Sequence, residues 1–422
     1  MKRLAIIGSG IAGLACAHFL HRRRSLTLYE KNDYLGGHSN TVSAAEADRA
    51  VPIDTGFMVF NKVTYPNLTR LFRELGVAVK PASMSFSVQH LPTGLEFCGS
   101  SLNRLFGQRS NLLRPRFWSM IRQINRFNAE AMDALASPKF RTHTLGEYVR
   151  ERKYGDDFLN FYLVPMSSAV WSTPAELMLD FPVVTLLRFF HNHGFLGLHT
   201  QHPWLTVVNG AQAYVKKITA PFREKIPLRK AATSVRRQDG VVKITDISGH
   251  TEHFDQVILA SHADESLELL ADADASERRL LAEFTYQPNL ALLHTDASVM
   301  PKTRLCWSSW NHRIGCNAAG KICPSTIYWM NSLQDVSDRQ NYFISINGED
   351  FVNPSAVLKR IQYEHPVFSL GAIRAQSELP KLNERMNQVF FCGSYFRYGF
   401  HEDALSSALA LCRVLTGESL WP

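Results

Sequence analysis

The sequence predicts an α/β fold that begins with a Rossmann-like strand, turn and helix. The apolar strand Leu4–Ile7 runs into a glycine-rich turn, and an amphipathic stretch then reaches Leu20. A second strand, Leu26–Tyr29, ends in Glu30, about 20 residues beyond the middle glycine of the turn. An acidic residue at this distance is placed to hydrogen-bond the hydroxyl pair of a ribose. Together these features predict a dinucleotide-binding domain.

The glycine-rich turn supplies the predicted phosphate contacts. Gly8 lets the strand turn sharply, Gly10 lets the backbone approach a pyrophosphate, and Gly13 lets the helix pack closely on the strand. The free N–H groups of the helix N-terminus then face the negative charge of the phosphates. The cofactor contacts predicted here are Gly8, Gly10, Ile11, Ala12, Gly13, Glu30 and Lys31.

A second pair of glycines, Gly36-Gly37, follows Glu30 closely and precedes His38. Backbone must again pass close to a bulky group here, which a nicotinamide-dependent enzyme does not require. Glu30 followed by Gly36-Gly37-His38 resembles the extended first motif of the flavin amine oxidase and phytoene desaturase superfamily, whose members bind FAD. The resemblance implies FAD contacts at Gly36, Gly37 and His38. Most members have arginine at the position of His38, whereas a neutral imidazole offers fewer donors and no obligatory charge.

Two later segments resemble flavin-binding motifs of the same superfamily. Asp54–Asn61 resembles the strand that runs beneath the flavin ring, although an ordinary hairpin strand has the same pattern. The strand Gln388–Gly393 and the helix that ends at Leu415 resemble the C-terminal motif, whose helix N-terminus stabilises negative charge on the reduced flavin. The same pattern also suits a strand and helix that complete the sheet. The resemblance implies FAD contacts at Thr55, Gly56, Phe57, Met58, Gly393, Ser394, His401, Glu402, Asp403 and Ala404.

The C-terminal motif departs from the superfamily pattern at two positions. Ser394 stands where an acidic residue is usual, and a hydroxyl bonds the ribityl chain less strongly than a carboxylate does. Ala404 replaces a usual glycine and restricts how closely the flavin approaches. Glu402 or Asp403 is expected to cap the helix. Because no cysteine or histidine stands in a recognisable flavin-attachment motif, we expect non-covalent FAD.

The middle of the chain predicts the remaining part of a discontinuous FAD-binding domain. Phe254–Ala263 is typical of a buried parallel strand that leads into a helix, and a hairpin that turns at Asp239-Gly240 precedes it. The resemblance implies that Val235 contacts the adenine through its backbone. We therefore predict a Rossmann-like FAD-binding domain with an inserted α+β substrate domain that contains a helical subdomain. The FAD-binding domain is predicted at 1–80, 205–270 and 385–422, and the substrate domain at 81–204 and 271–384 with its helical insertion at 101–200.

Composition limits the remaining function classes. The chain has 422 residues, 45% of them hydrophobic, and its seven cysteines are odd in number and scattered, as in reduced cytoplasmic proteins. The apolar run after Met1-Lys2-Arg3 imitates a signal peptide, but the glycines favour the strand and turn. We expect no membrane span, no nucleic-acid partner and no metal site, since Cys316 and Cys323 have the wrong spacing for zinc.

The net charge of +8 comes largely from arginines in the first third of the chain. Around residues 104–126 they alternate with leucine, phenylalanine and tryptophan, a composition that suits an anionic bilayer surface. A solvated basic helix face has the same composition. The sequence thus predicts a cytoplasmic protein, with peripheral attachment to the inner face of the cell membrane as one of two alternatives.

The substrate region is strongly apolar and contains no cluster of acids, which favours a hydrophobic substrate over a polyamine. Leu293–Pro301, Trp307–Asn311 and Gly399–Asp403 resemble a bacterial branch of the superfamily, the predicted NAD/FAD-binding amine-oxidoreductase-like proteins. Members of that branch are often associated with methyltransferases of the cyclopropane-fatty-acid synthase type. The resemblance therefore implies phospholipid acyl chains as substrates and such a methyltransferase as a partner.

The chemistry expected is hydride transfer from an activated C–H to flavin N5. His401 is the candidate base, or it hydrogen-bonds the flavin or backbone instead. Lys302 and Lys321 are candidates for the flavin-proximal lysine of amine oxidases, and Trp307, Trp310 and Asn311 form a substrate wall or sheet core. The alternatives are an amine oxidase that produces hydrogen peroxide, a redox-silent flavin isomerase, and a non-catalytic subunit of a lipid-modifying assembly.

Overall fold

A computed structural model describes residues 1–197, 200–317, 320, 322–385 and 387–421. The strands are β1 (Arg3–Ile7), β2 (Ser25–Tyr29), β3 (Thr41–Glu46), β4 (Arg49–Asp54), β5 (Phe60–Asn61), β6 (Val79–Pro81), β7 (Phe86–His90), β8 (Leu95–Cys98), β9 (Trp204–Val207), β10 (Ala232–Gln238), β11 (Val241–Asp246), β12 (Thr251–Phe254), β13 (Gln256–Leu259), β14 (Thr285–His294), β15 (Trp310–Cys316), β16 (Ile322–Trp329), β17 (Phe343–Ile346), β18 (Val357–Val367) and β19 (Val389–Phe391). The α-helices are α1 (Ile11–Leu20), α2 (Pro66–Glu74), α3 (Leu102–Leu105), α4 (Pro115–Ala136), α5 (Leu145–Glu151), α6 (Asp156–Phe158), α7 (Val164–Trp171), α8 (Ala175–Met178), α9 (Val183–Asn192), α10 (Gln212–Thr219), α11 (Ala263–Leu269), α12 (Ala275–Leu281), α13 (Met330–Gln334), α14 (Leu370–Gln376), α15 (Leu379–Glu384) and α16 (His401–Thr416).

The first of two large sheets is parallel and has the strand order β19-β13-β1-β2. Its strands come from three distant parts of the chain, so the predicted discontinuous Rossmann-like unit is confirmed. The central strand β1 is almost entirely apolar and buried, as expected for a parallel strand covered on both faces. Helices α1 and α16 pack against each other beside the sheet, where Cys16 and Cys392 meet at an Sγ–Sγ distance of 3.8 Å.

The crossover into β13 is the antiparallel sheet β10-β11-β12, as the sequence predicts. Its first hairpin turns at Asp239 (φ 54°) and Gly240 (φ 77°). Two consecutive residues with positive φ form the tight turn that matches the twist of a hairpin.

The second large sheet has seven strands in the order β18-β14-β17-β16-β15-β7-β8. Neighbouring strands are antiparallel except β15 and β7, which are parallel. Two smaller sheets, β3-β4 and β5-β9-β6, lie within the rest of the chain. Helices α3 to α9 occupy the region predicted as a helical insertion, and within the described residues no helix combines the length and apolar composition needed to cross a bilayer.

One detail differs from the sequence-based expectation. Residues 54–61 do not form one strand, because β4 ends at Asp54 and the chain then folds against residues 38–40. The backbone N–H of Thr55 bonds the Asn40 carbonyl at 2.9 Å, and that of Phe57 bonds the His38 carbonyl at 2.7 Å. These bonds replace the sheet ladder until β5 begins at Phe60.

The predicted domain boundaries at 270/271 and 384/385 fall inside one group of packed elements. Helices α12, α14 and α15 share a hydrophobic core with β13 and β19. The Asn383 side chain donates to the carbonyl of Phe391 at 2.9 Å and accepts from its N–H at 2.8 Å. It therefore completes the hydrogen bonding at the edge of the parallel sheet.

The stability of the fold is expected to fall steeply as the pH drops below about 6.5. Burial lowers the pKa of five imidazoles to about 4 or about 3, and these belong to His193, His294, His312, His365 and His401. The unfolded chain binds protons at these sites near pH 6.5, and the native state does not. Stability is therefore full above pH 6.5 and is lost as the pH falls toward 4.

Two buried carboxyls oppose this trend, because burial raises the pKa of Asp54 to about 6 and that of Asp403 to about 7. The native state holds these protons, so over these seven groups the unfolded chain binds a net excess of roughly three protons, or about 4 kcal/mol per pH unit. Urea unfolding at neutral pH and near pH 5.5 measures the slope. His312→Leu should reduce it by about one proton. Equal stability at the two pH values would contradict the expectation.

Candidate active site

A cavity of about 980 Å³ is lined by residues of both large sheets. One end is formed by the carboxyl ends of β1, β2 and β13, where ligands bind in open parallel sheets. We call it the dinucleotide end. The other end is formed by aromatic side chains from α7, α9, β9, β15 and β16, and we call it the aromatic end.

The glycine turn leaves free space and free N–H groups at the dinucleotide end. Gly8 has φ +102°, and a Cβ there would lie 2.8 Å from the Ala260 carbonyl oxygen. A Cβ on Gly13 would collide with the Gly8 carbonyl oxygen, whereas one on Gly10 would meet no protein atom within 4 Å. Gly10 is the N-cap of α1, with no side-chain cap and no acidic residue in the first turn. The turn is thus tight against the protein at two glycines and open at the third.

Glu30 is buried beside this turn and lines the cavity. Its carboxylate accepts hydrogen bonds from the N–H and the hydroxyl of Ser9 and from the N–H of Asn32 at 2.7 Å. Lys31 also lines the cavity, and its Nζ lies 2.5 Å from Glu265. The acid predicted at the ribose is therefore held in place by the glycine turn itself.

The second glycine pair packs directly on the first turn. Gly36 donates its N–H to the Ser9 carbonyl at 3.1 Å, and a Cβ on Gly37 would lie 3.3 Å from the Gly10 Cα. His38 stacks on Tyr363 with 4.9 Å between ring centroids. Burial and the neighbouring histidines hold the pKa of His38 well below its ordinary value, so the imidazole is neutral at pH 7.

The C-terminal motif brings Gly393, Ser394, His401 and Ala404 to the cavity wall. His401 stacks on Phe57 with 3.8 Å between centroids and 10° between ring planes. Its Nε2 lies 2.8 Å from the Ser39 hydroxyl and 3.0 Å from the Tyr214 hydroxyl. Burial lowers the pKa of His401 to about 3, which makes it a weak base that stays neutral at physiological pH. This geometry favours the hydrogen-bonding alternative over the role of proton acceptor.

The two acids of the motif face away from the cavity. Asp403 accepts the N–H of Phe400 at 3.0 Å. Of the two acids expected to cap α16, it is therefore Asp403 that does so. Glu402 instead accepts three hydrogen bonds from Asn67 and Leu68 at the start of α2, at 2.8 to 3.0 Å. Glu402 therefore joins two helix N-termini and does not line the cavity.

Most of the predicted cofactor contacts line the cavity: Gly8, Gly10, Ile11, Ala12, Glu30, Lys31, Gly36, Gly37, His38, Gly56, Phe57, Met58, Gly393, Ser394, His401 and Ala404. Those that do not are Gly13, Thr55, Val235, Glu402 and Asp403. Thr55 is buried and bonds the Tyr363 hydroxyl at 2.7 Å. The Val235 carbonyl accepts the N–H of Ala271 at 3.0 Å, so its backbone is used within the fold. Residues 230–233 of the same segment reach the cavity in its place.

The aromatic end contains two groups of rings in contact. Trp171 packs on Phe189 at 4.8 Å, Phe189 stacks on Phe400 at 4.8 Å, and Trp310 meets Tyr328 edge to face at 5.2 Å. The further lining residues here are Met58, Val59, Tyr65, Met84, Val170, Ser172, Phe195 and Trp204. The acids and lysines among the described lining residues, Glu30, Lys31, Lys230, Glu265, Glu268 and Glu364, belong to other segments. A wall of this kind suits an apolar ligand.

His365 also lines the cavity and was missed by the sequence analysis. Asn289 accepts from Asn347 through Oδ1 at 2.7 Å, so its Nδ2 is the group that lies 2.9 Å from Nδ1 of His365. His365 therefore accepts at Nδ1 and carries its proton on Nε2. Burial lowers the pKa of His365 to about 4, which keeps this neutral tautomer at pH 7. The residue offers a fixed N–H donor to a ligand.

One group of side chains in the cavity wall has the chemistry of metal ligands, although the sequence predicts no metal site. Potential ligand atoms of His262, Glu265 and Glu364 lie within 4.8 Å of one another. The Lys31 ammonium forms an ion pair with Glu265, so the group already has a cationic partner. His262 lies three residues beyond the end of β13, and its position near the carboxyl end of a parallel strand is the signal that would have placed it here.

The remaining candidates are distributed as follows. Trp310 lines the cavity, whereas Asn311 is buried and bonds the Ser308 and Ile327 carbonyls. Trp307 packs on Trp329 at 5.2 Å and belongs to the sheet core. Lys302 does not line the cavity, since its N–H bonds Glu96 near β8. Lys321 lies outside the described residues.

Comparison with known proteins decides the family. The family model "Flavin containing amine oxidoreductase" matches residues 11–297. The chain belongs to this flavin-containing amine oxidoreductase family. A 15-cis-phytoene desaturase of Synechococcus elongatus is 38% identical over 76 residues, which cover 18% of this chain and 15% of the desaturase. The predicted superfamily is therefore confirmed, and the protein is a FAD-dependent oxidoreductase of the amine oxidase and desaturase group.

Solved structures share the fold across the whole length of this family member. Cyclohexylamine oxidase from Brevibacterium oxydans IH-35A is 15% identical, with a TM-score of 0.68 over 98% of this chain and 99% of that one. A CLA-producing fatty acid isomerase from P. acnes is also 15% identical, with a TM-score of 0.64 over 96% and 97%. At these identities the likeness shows the fold alone, and the predicted fold class is confirmed.

The cavity of this amine oxidoreductase fits a flavin dinucleotide. The open space at Gly10, the uncapped N-terminus of α1 and the Gly36-Gly37 turn form a cradle for phosphates. Glu30 lies beside it at the end of β2, and the N-terminus of α16 lies at the wall that His401 and Ala404 line. These groups would hold the two ends of the cofactor.

Proposed function

We propose that this enzyme oxidises an apolar substrate, an acyl chain of an unsaturated or methylated phospholipid, by transfer of a hydride to flavin N5 and release of a second hydrogen as a proton to solvent, which leaves a carbon–carbon double bond. The observation that supports the proposal is the aromatic end of the cavity, whose described side chains include no carboxylate and no lysine. An ammonium group would have to be buried there without an anionic partner, at a cost of several kcal/mol. An alkyl chain gains free energy on entering the same surface.

The protein groups have defined roles in this proposal. A bound flavin would supply the hydride acceptor, with oxygen or a quinone as the final acceptor of the electrons. The aromatic rings around Trp171 and Trp310 orient the chain and exclude water. His365 donates a hydrogen bond from Nε2, and the N-terminus of α16 stabilises developing negative charge. His401 holds Ser39 and Tyr214 in place as a neutral hydrogen-bonding group.

The binding of FAD is proposed to be non-covalent, because no cysteine lines the cavity within the described residues and its histidines stand in no recognisable flavin-attachment motif. A methyltransferase of the cyclopropane-fatty-acid synthase type is proposed as the partner that acts on the same acyl chains. Its support is the family resemblance and the apolar cavity.

The visible spectrum of the purified holoprotein tests the substrate class. Unsaturated phospholipid vesicles and then cyclohexylamine or putrescine are added without oxygen, and the oxidised-flavin absorbance is followed. Bleaching by lipid and not by amine is the expected result. Bleaching by amine alone would replace the proposal with an amine oxidase. An unchanged spectrum with a shifted lipid double bond would replace it with an isomerase, and no change in either would overturn it.

A further inference from the structure

An exposed apolar patch lies at the start of the helical insertion, away from the cavity lining. It is formed by large side chains that are unusually accessible: Leu102 (72% exposed), Leu112 (47%), Leu113 (87%), Trp118 (45%) and Leu305 (39%). We call these five residues the α3–α4 patch. Exposed apolar side chains that cluster in one place mark an interaction surface more often than isolated ones do.

Three residues of the α3–α4 patch form one continuous, well-supported surface. Leu112, Leu113 and Trp118 line one shallow hollow together with Pro115 and Arg122. The Trp118 indole donates to the Leu112 carbonyl at 3.0 Å, and its ring lies 5.0 Å from that of Phe106. Phe106 belongs to a buried cluster with Phe117 and residues of β7 and β8. The apolar side chains are thus held outward by a packed base.

The segment around the patch carries an excess of positive charge. No acidic residue occurs between Glu96 and Glu130, while the same stretch contains six arginines. Arg116 pairs with Asp157 and Arg126 with Glu130. The other four, which form no ion pair with any carboxylate of the described residues, are Arg104, Arg109, Arg114 and Arg122.

We propose that the α3–α4 patch docks the enzyme on an anionic lipid bilayer. Leu112, Leu113 and Trp118 enter the interface between headgroups and acyl chains, and the unpaired arginines contact the phosphates around them. Arginine-rich surfaces with tryptophan and leucine have the composition of interfacial membrane anchors. A nucleic acid would satisfy the arginines but would leave Leu113 in water, so the observations favour the bilayer.

The patch and the cavity share one supporting sheet. Trp310, which lines the aromatic end, is the register partner of Phe86 in β7, and Phe86 packs on the cluster beneath the patch. The inference goes beyond the proposed function, because attachment to a bilayer does not require that its acyl chains are oxidised. Vesicle binding is measured without turnover. The proposal of bilayer attachment and the proposal of acyl-chain oxidation can therefore fail independently of each other.

The test is sedimentation of the holoprotein with vesicles of phosphatidylcholine alone or mixed with phosphatidylglycerol. We expect binding only to the anionic vesicles, with weakening by salt. The double variant Leu113→Ser with Trp118→Ser and the triple variant R109Q, R114Q and R122Q should each lower the affinity roughly tenfold or more. Their flavin spectra should not change, because none of these residues lines the cavity.

Matched controls use exposed residues elsewhere. Ile247→Ser removes an aliphatic side chain that is 70% exposed, and Arg236→Gln removes an exposed arginine of β10. Both variants should bind vesicles as the wild type does. Equal binding to neutral and anionic vesicles, or full binding by the leucine–tryptophan variant, would overturn the proposal. Binding to duplex DNA that depends on the arginines and not on Leu113 would assign the surface to nucleic acid instead.

Discussion

Replacing Gly10 with glutamate is expected to give a folded, colourless protein that does not retain FAD. Gly10 has φ −62° and ψ 172°, a conformation that any residue adopts, and a Cβ there meets no protein atom within 4 Å. The new side chain fills space that the protein leaves open at the N-terminus of α1. Its carboxylate also opposes the phosphates that this terminus attracts. We expect the affinity for FAD to fall about 100-fold or more, or roughly 3 kcal/mol.

Two other glycines make this experiment decisive. Gly99→Glu is the matched control, since Gly99 is also exposed to open space and lies outside the cavity lining. Gly13→Ala is the opposite case, because its Cβ would collide with the Gly8 carbonyl, and the fold itself should be lost. Titration with FAD and circular dichroism separate the outcomes. A yellow Gly10→Glu variant with unchanged affinity would show that the cofactor does not use this turn.

The glycine positions illustrate what the sequence predicts well. The turn at Gly8, the helix after Gly10 and the acid at Glu30 are fixed by local geometry, because few backbones join a parallel strand to a helix over so short a distance. The hairpin at Asp239-Gly240 is predictable for the same reason. Local constraints of this kind allow the dinucleotide end of the cavity to be predicted almost completely from the sequence.

The sequence predicts poorly where a residue's role depends on register or on distant partners. Val235 has the expected position in the chain, but its carbonyl accepts a hydrogen bond from the N–H of Ala271. Residues 230–233 of the same segment line the cavity instead. Glu402 has the position of a helix cap, yet it bonds the start of α2, 334 and 335 residues earlier. Such partners come together only through tertiary packing, which no local pattern encodes.

His365 is the residue with the largest predicted effect among those that the sequence analysis missed. Its place at the cavity depends on the pairing of β18 with β14, and its tautomer depends on Asn289 in that neighbouring strand. Replacing Asn289 with aspartate removes the donor to Nδ1 and supplies an acceptor. The proton of His365 then moves to Nδ1, and Nε2 no longer donates to a ligand in the neutral form.

Asn289→Asp is therefore expected to slow substrate reduction of the flavin roughly 100-fold, the usual cost of a lost preorganised donor. The new carboxylate also raises the pKa of His365 from its value of about 4, because a nearby negative charge favours the imidazolium. The rate should then vary with pH between about 5 and 8, where the wild-type residue stays neutral. Asn311→Asp is the control for a buried carboxylate, since Asn311 is equally buried and lies outside the cavity lining. If Asn289→Asp binds FAD and keeps both the wild-type rate and a flat pH profile, His365 has no part in the reaction, and the donor to the flavin or substrate must be sought among the backbone N–H groups of α16.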